Sequence, residues 1–207
     1  GEEHQSMPSD GLYRSVDGGL SWEQVLPNII GLNVPYTPSD IEITSNGKIF
    51  VGTMKNLEGE GGATILSSTS GSLDSWEINQ EFKILIENSN SNNIPGRIIL
   101  SSCENYPDNI YGVIGSGYIN NMGFNLSYGN YMIKSTNNGN NWSQINLPTN
   151  EGNDWASLAW HALALKIHPD NPNIVFAGGL ELYRSIDGGN SWNDLSNDPD
   201  SETAKIV

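Results

Sequence analysis

The chain is poor in cysteine, basic residues and long apolar runs, and each shortage narrows what it can be. It has one cysteine, Cys103. No intrachain disulfide and no cysteine-based zinc site can form, which excludes the disulfide-stapled secreted class without excluding secretion. Only 9 residues are Lys or Arg, against 24 Asp or Glu, for a net charge of -15. Such a surface repels phosphate backbones and anionic lipid, so nucleic acid and anionic membrane surfaces are not expected partners. It suits a soluble protein with a neutral or basic partner. No run is long enough to insert in a membrane. No signal peptide is visible over Gly1 to Asp10, so an exported form would be a mature or trimmed chain.

What is present points to a β protein. Hydrophobic residues make up 36% and aromatics 9%, enough for a packed core rather than disorder. The 23 glycines and 10 prolines fall at turn-like places along the chain, as in folds of many short strands.

An internal repeat organises the chain. Leu12 to Trp22 reads LYRSVDGGLSW and Leu182 to Trp192 reads LYRSIDGGNSW, differing only at Val16/Ile186 and Leu20/Asn190. Met132 to Trp142 (MIKSTNNGNNW) is a third copy, and Ile65 to Trp76 (ILSSTSGSLDSW) a weaker fourth. The shared pattern is Ser-x-Asp-x-Gly-x-x-Trp: Ser15, Asp17, Gly19 and Trp22; Ser185, Asp187, Gly189 and Trp192; Ser135, Asn137, Gly139 and Trp142. The tryptophans recur at roughly 50 to 65 residues, the length of one four-stranded propeller blade. The residue types suit a hairpin loop. Ser and Asp side chains hold the backbone amides of the loop. Glycine supplies a positive φ, and Trp folds its ring against the blade.

These residues resemble the Asp-box, or bacterial neuraminidase repeat. It is found in the six- to ten-bladed propellers of sialidases, xyloglucan-active hydrolases, sortilin-type receptors and photosystem assembly factors. Propeller segments of large secreted bacterial proteins resemble the chain most, through the phrase His168 to Gly179 (HPDNPNIVFAGG) followed by a box. The resemblance implies an all-β propeller of four-stranded antiparallel blades, with each box between the third and fourth strands. Residues 1–207 then form a single propeller segment with blade boundaries near 1–30, 31–90, 91–155 and 156–200. Hairpins are expected at Ile41–Thr44 and Lys48–Thr53, at Arg97–Ser101 and Ile110–Ile114 around Pro107 to Asn109, and at Leu163–Ile167 and Ile174–Ala177 around His168 to Asn173. Three full blades and a half make a partial propeller, whose remaining blades are expected from a longer parent chain or another chain.

The resemblance places ligands on the face opposite the boxes. There the chain is expected to form loops over Val25–Ser39, Met54–Gly62, Gly115–Asn130 and Leu147–Trp160. Candidate binding residues on them are Tyr36, Glu58, Glu60, Tyr118, Tyr128, Glu151, Asp154 and Trp155, with Phe124 and Trp160 beside them. Aromatic platforms with carboxylates and amides suit sugars, while the alternative is that Trp155 and Trp160 pack between blades.

A sialidase needs three converging arginines. The chain has three in all, Arg14, Arg97 and Arg184. Arg14 and Arg184 hold the same repeat position, just before the box Ser, and Lys134 fills it in the third copy. They cannot meet on one ligand. A xyloglucan-type hydrolase needs two carboxylates about a bond. Asp17-Gly18-Gly19 and Asp187-Gly188-Gly189 belong to boxes and do not supply them. No cofactor is expected, calcium on Glu58-Gly59-Glu60 being the one ion with suitable donors. The reading is a non-catalytic binding or scaffold module of a secreted or cell-surface bacterial protein that presents loops to glycan or protein. The alternatives are a glycoside hydrolase using Glu58, Glu60, Glu151 or Asp154, and a protein-only assembly propeller.

Overall fold

A computed structural model describes residues 5–89, 93–149 and 154–196. The first sheet has two antiparallel strands, β1 (Tyr13–Arg14) and β2 (Glu23–Gln24). Three four-stranded antiparallel sheets follow in chain order. The second holds β3 (Thr37–Ile43), β4 (Ile49–Met54), β5 (Ile65–Ser68) and β6 (Glu77–Asn79). After helix α1 (Glu81–Ser89), the third holds β7 (Ile94–Cys103), β8 (Tyr106–Ile119), β9 (Asn125–Ser135) and β10 (Ser143–Ile145). The fourth holds β11 (Ala164–His168), β12 (Asn171–Gly178), β13 (Leu182–Ser185) and β14 (Asn193–Asp194). Each sheet meanders in sequence order. Together they form a partial β-propeller of three blades and a half.

The middle strands are apolar almost without interruption because both of their faces are buried. Alternate residues feed different cores. Phe50 and Ile65 enter the core between the second and third sheets, with Ile98, Ile110, Ile114, Ile133 and Trp142. Their neighbours Val51 and Leu66 enter the core shared with the first sheet, beside Leu26, Ile29 and Tyr36. Tyr111, Val113 and Met132 turn the other way, toward Ile167, Val175 and Tyr183 of the fourth sheet. Every core is thus made by two adjacent blades.

The first strands β3, β7 and β11 lie side by side. The outer edge of β7 has unpaired amides at alternate positions, and β3 side chains accept them. Ile98 N–H donates to Ser39 Oγ at 3.3 Å, Leu100 N–H to Asp40 Oδ2 at 2.7 Å and Ser102 N–H to Glu42 Oε1 at 2.9 Å. Ser101 Oγ repeats the device one blade on, accepting Ile167 N–H at 3.2 Å. Side chains thereby blunt an edge that would otherwise be open to pairing.

Each box closes as the residue types require. In the last copy Ser191 N–H and Oγ–H donate to the Asp187 carboxylate at 2.9 and 2.5 Å, and Gly189 N–H donates to Ser185 Oγ at 2.8 Å. Asn137 replaces the carboxylate with an amide oxygen that still accepts Asn141 N–H at 2.9 Å. The weak copy uses Ser68 Oγ alone for Ser70 and Gly71 N–H. The bulged second strand pins the loop from below. Asp108 and Asn173 carbonyls accept Asn138 and Gly188 N–H at 3.1 and 3.0 Å.

The boxes also hold neighbouring blades together. Gly139 (φ 77°) lies where a Cβ would be 2.3 Å from Phe50 of the preceding blade, and Gly189 where it would be 2.4 Å from Ile145. Trp142 meets Phe50 edge-on at 6.5 Å, and Trp76 and Trp192 donate to the Val25 and Asn146 carbonyls of the sheet before. Trp22, whose sheet has no described blade before it, is 61% exposed and donates to Gly19 of its own loop, whereas Trp142 is 8% exposed. The cation before the box Ser reaches forward: Arg14 donates to the Ser70 carbonyl and Lys134 lies against Gly188. Their role is structural, as their repeat position implies.

One element was not anticipated, and two local expectations need correction. Residues 81–89 form a helix, with Phe82 and Ile86 one turn apart and buried in the core, and Asn79 Oδ1 accepting Glu81 N–H at its start. Gly115–Asn130 is a long β8–β9 hairpin rather than a loop, because cross-strand pairing continues to Ile119 and Asn125. Asn120 Oδ1 closes its tip by accepting the N–H groups of Met122 and Phe124. Pro107 to Asn109 are not the turn. The chain turns at Glu104–Asn105, and these residues fill a bulge in β8.

Three outcomes follow. Asp40→Ala should cost about 1–2 kcal/mol in urea unfolding through the lost charge-assisted bond, while exposed Asp74→Ala should change little. Trp142→Ala should cost about 3–5 kcal/mol, and Trp22→Ala less than about 1 kcal/mol. Asp187 sits at a pKa of about 2, chiefly because Ser191 and then Ser185 donate to its carboxylate. Its folded value lies below its unfolded one, so its contribution is present above about pH 4 and is lost as pH falls toward 2. Asp187→Asn should therefore flatten the fall of the unfolding midpoint between pH 4 and 2. An unchanged slope would contradict this.

Candidate functional site

The face opposite the boxes carries a cleft between the second and third blades. Its geometry follows from strand ends. β4 delivers Met54 and, just past its end, Lys55; the start of β7 delivers Ile94, Gly96 and Arg97. The β8–β9 hairpin supplies Gly117, Asn125 and Ser127 as one wall, and the connection to the fourth blade brings Trp160 over the mouth. The cavity volume is small, about 50 Å³, and the cleft opens to solvent. Ser127 pairs with Leu158, and Ala159 N–H donates to the Ser127 carbonyl at 3.1 Å, so the connection is fastened to the hairpin.

Arg97 fixes the aromatic rim. Its Nη1 donates to the Trp160 and His161 carbonyls at 3.4 and 3.2 Å. Trp160 is 59% exposed, with His161 tilted against it at 4.7 Å. Lys55 is half-buried and has no acceptor among the described residues; loss of hydration lowers its pKa. The cleft can therefore offer an aromatic platform, an amide, a hydroxyl and two cations.

The candidate residues read from the sequence do not converge. Tyr36 is fully buried in the core, where its hydroxyl accepts a bond from Gln80 at 3.0 Å. Trp155 is also a core residue, edge-on to Tyr183 at 6.3 Å and donating to the Gly129 carbonyl at 3.2 Å. Their position is a correction: both rings are spent on packing. Glu58 and Glu60 line a second, shallower cleft with Leu32, Asn33, Val34 and Asn56. Glu58 accepts Ser6 N–H at 2.9 Å, and the Ser6 hydroxyl, then this N–H, lower its pKa. Tyr118 is exposed near the tip of the hairpin and Tyr128 is half-buried opposite Ser116. Glu151 lies outside the described residues, and Asp154 opens a short 3-10 turn, Asp154–Ala156. Among the described residues no three of His, Cys, Asp and Glu gather as a metal site.

The sequence reading did not single out Lys55, and it weighed Arg97 only as one of three arginines of a sialidase clamp. Only blade registration brings the end of one blade's second strand beside the start of the next blade's first strand.

No protein-family model and no curated protein matches the sequence. Solved structures do. The GH74 enzyme from Niastella koreensis is similar with a TM-score of 0.56 at 17% identity, over 91% of this chain and 27% of that one. The GH74 xyloglucanase from Xanthomonas campestris gives 0.53 at 16% identity, over 90% and 26%. The likeness is one of fold, and it defines the class: a β-propeller segment. The chain spans about a quarter of the length of these neighbours.

Proposed function

We propose that the chain is a binding module of a secreted or cell-surface propeller protein, and that a glycan sits in the cleft between its second and third blades. One observation carries this reading. An exposed Trp160 lines a preformed, mainly apolar cleft that carries a few polar groups, on the face away from the structural boxes. An aromatic ring stacks on the apolar face of a pyranose while Asn125 and Ser127 meet its hydroxyls. The fold's likeness to carbohydrate-active propellers is consistent with a sugar ligand. The boxes need no ligand to explain them, since their Ser, Asp and Trp groups are all engaged within the protein.

A hydrolase is the second reading. Glu58 and Glu60 face the adjacent cleft, and the fold neighbours are named as GH74 enzymes, one of them a xyloglucanase. A glycosidase needs its two carboxylates placed across one bond, whereas Glu58 is held by Ser6.

Binding of the intact protein to an array of neutral and acidic oligosaccharides tests the proposal. The expected result is retention of a defined glycan set, lost at least about tenfold in Trp160→Ala with an unchanged unfolding midpoint. Equal retention by wild type and Trp160→Ala would place binding elsewhere. Bond cleavage lost in Glu58→Gln or Glu60→Gln would favour the hydrolase.

A further inference from the structure

Resting on the glycan reading above, we propose that the sugar taken by this cleft is anionic: a short oligosaccharide carrying a uronic acid carboxylate. The distribution of charge argues for it. The chain has 24 acidic residues, yet the described ion pairs are only Arg14–Glu23 and Lys83–Glu87, both away from this cleft. Lys48 and Lys134 are absorbed by Phe50 and Tyr111 rings and Arg14 by a box carbonyl. Lys55 and Arg97 line one cleft together, and no carboxylate among the described residues lines it with them. A half-buried ammonium without a counter-charge is costly to keep, and a ligand carboxylate offsets that cost.

Arg97 adds direction. With Nη1 committed to the Trp160 and His161 carbonyls, its Nη2 has no acceptor among the described residues. One guanidinium thus ties the aromatic platform to the charge. A pyranose stacked on Trp160 would hold its C5 carboxylate toward Arg97 and Lys55, a charge-assisted pairing of the kind guanidinium favours.

An acidic peptide carries the same charge, but the cleft is badly suited to one. Peptides in extended form bind by adding to a free strand edge. The β9 edge at Ser127 is already occupied by Leu158 and Ala159. The overall charge of -15 also repels long polyanions beyond the reach of the cleft. Short acidic oligosaccharides fit the arrangement better than polymers.

Calorimetric titration of the intact protein with trigalacturonate, glucuronate-containing and mannuronate trisaccharides, each beside its neutral counterpart, tests the proposal. At least one acidic sugar should bind about tenfold more tightly than its neutral partner, and added salt should narrow that gap. Lys55→Met keeps the side-chain stem and should narrow the gap by weakening the acidic sugar far more than its neutral partner; Lys55→Arg should restore it. Trp160→Ala should weaken both sugars. Equal affinity for acidic and neutral sugars, insensitive to Lys55→Met, would overturn the charge assignment and leave the glycan reading standing. No binding of any sugar in the series or on the array would overturn both. Tighter, Lys55-dependent binding of a short Glu-rich peptide would overturn the sugar assignment.

Discussion

The structure depends on the two-sided burial of its middle strands. Val51 and Phe50 are adjacent in β4 yet enter different cores, and the same holds for Leu66 and Ile65, Tyr111 and Ile110, and Met132 and Ile133. A single blade would leave one of these faces in water, at roughly 25 cal/mol for each Å² of apolar surface exposed. Blades are therefore stable only as neighbours. The remaining contacts refine that demand. Asp40 and Glu42 cap the edge of β7, and box glycines and tryptophans seat each blade on the one before. This economy also explains why the candidate site falls at strand ends. The middle-strand faces are committed to packing and the box Ser and Asp groups to closing their loops, whereas the opposite rim carries the cleft.

Much of this architecture is legible in the sequence. Ser-x-Asp-x-Gly-x-x-Trp announces itself because much of its chemistry is local: the Ser and Asp bonds that close the loop lie within four residues. The blade period follows from Trp22, Trp76, Trp142 and Trp192. Less local features were harder to read. Helix α1 had a signal in Phe82, Leu85 and Ile86, spaced along one helical face, but the sequence reading assigned no element there. Glycine and asparagine over residues 115–130 suggested a loop, whereas cross-strand pairing extends the hairpin through them. Aromatic content alone could not separate core from surface. Trp155 and Trp160 lie five residues apart in one connection, and only packing against Tyr183 decides that the first is buried and the second exposed.

The same separation reorganises the site. Residues chosen for their chemistry, Tyr36 and Trp155, are drawn into cores by their apolar area, and their polar atoms find internal partners. Residues that sequence reading set aside, Lys55 and Arg97, meet because β4 and β7 run past each other at a blade junction. Electrostatics then distinguishes this junction from the rest of an acidic surface. Arg97 serves it twice, as a brace for the Trp160 backbone and as a charge at the wall of the cleft. Such dual use makes the position sensitive: its loss would loosen the platform as well as remove the cation.

The most direct test of the central claim, that the junction of the second and third blades is the binding site, is amide hydrogen exchange of the intact protein with and without a glycan retained on the array. The account predicts ligand-induced protection concentrated over residues 94–98, 125–128 and 158–161, with the box loops unchanged. Protection at the box loops, or near Glu58 and Glu60 with the junction unaffected, would contradict it.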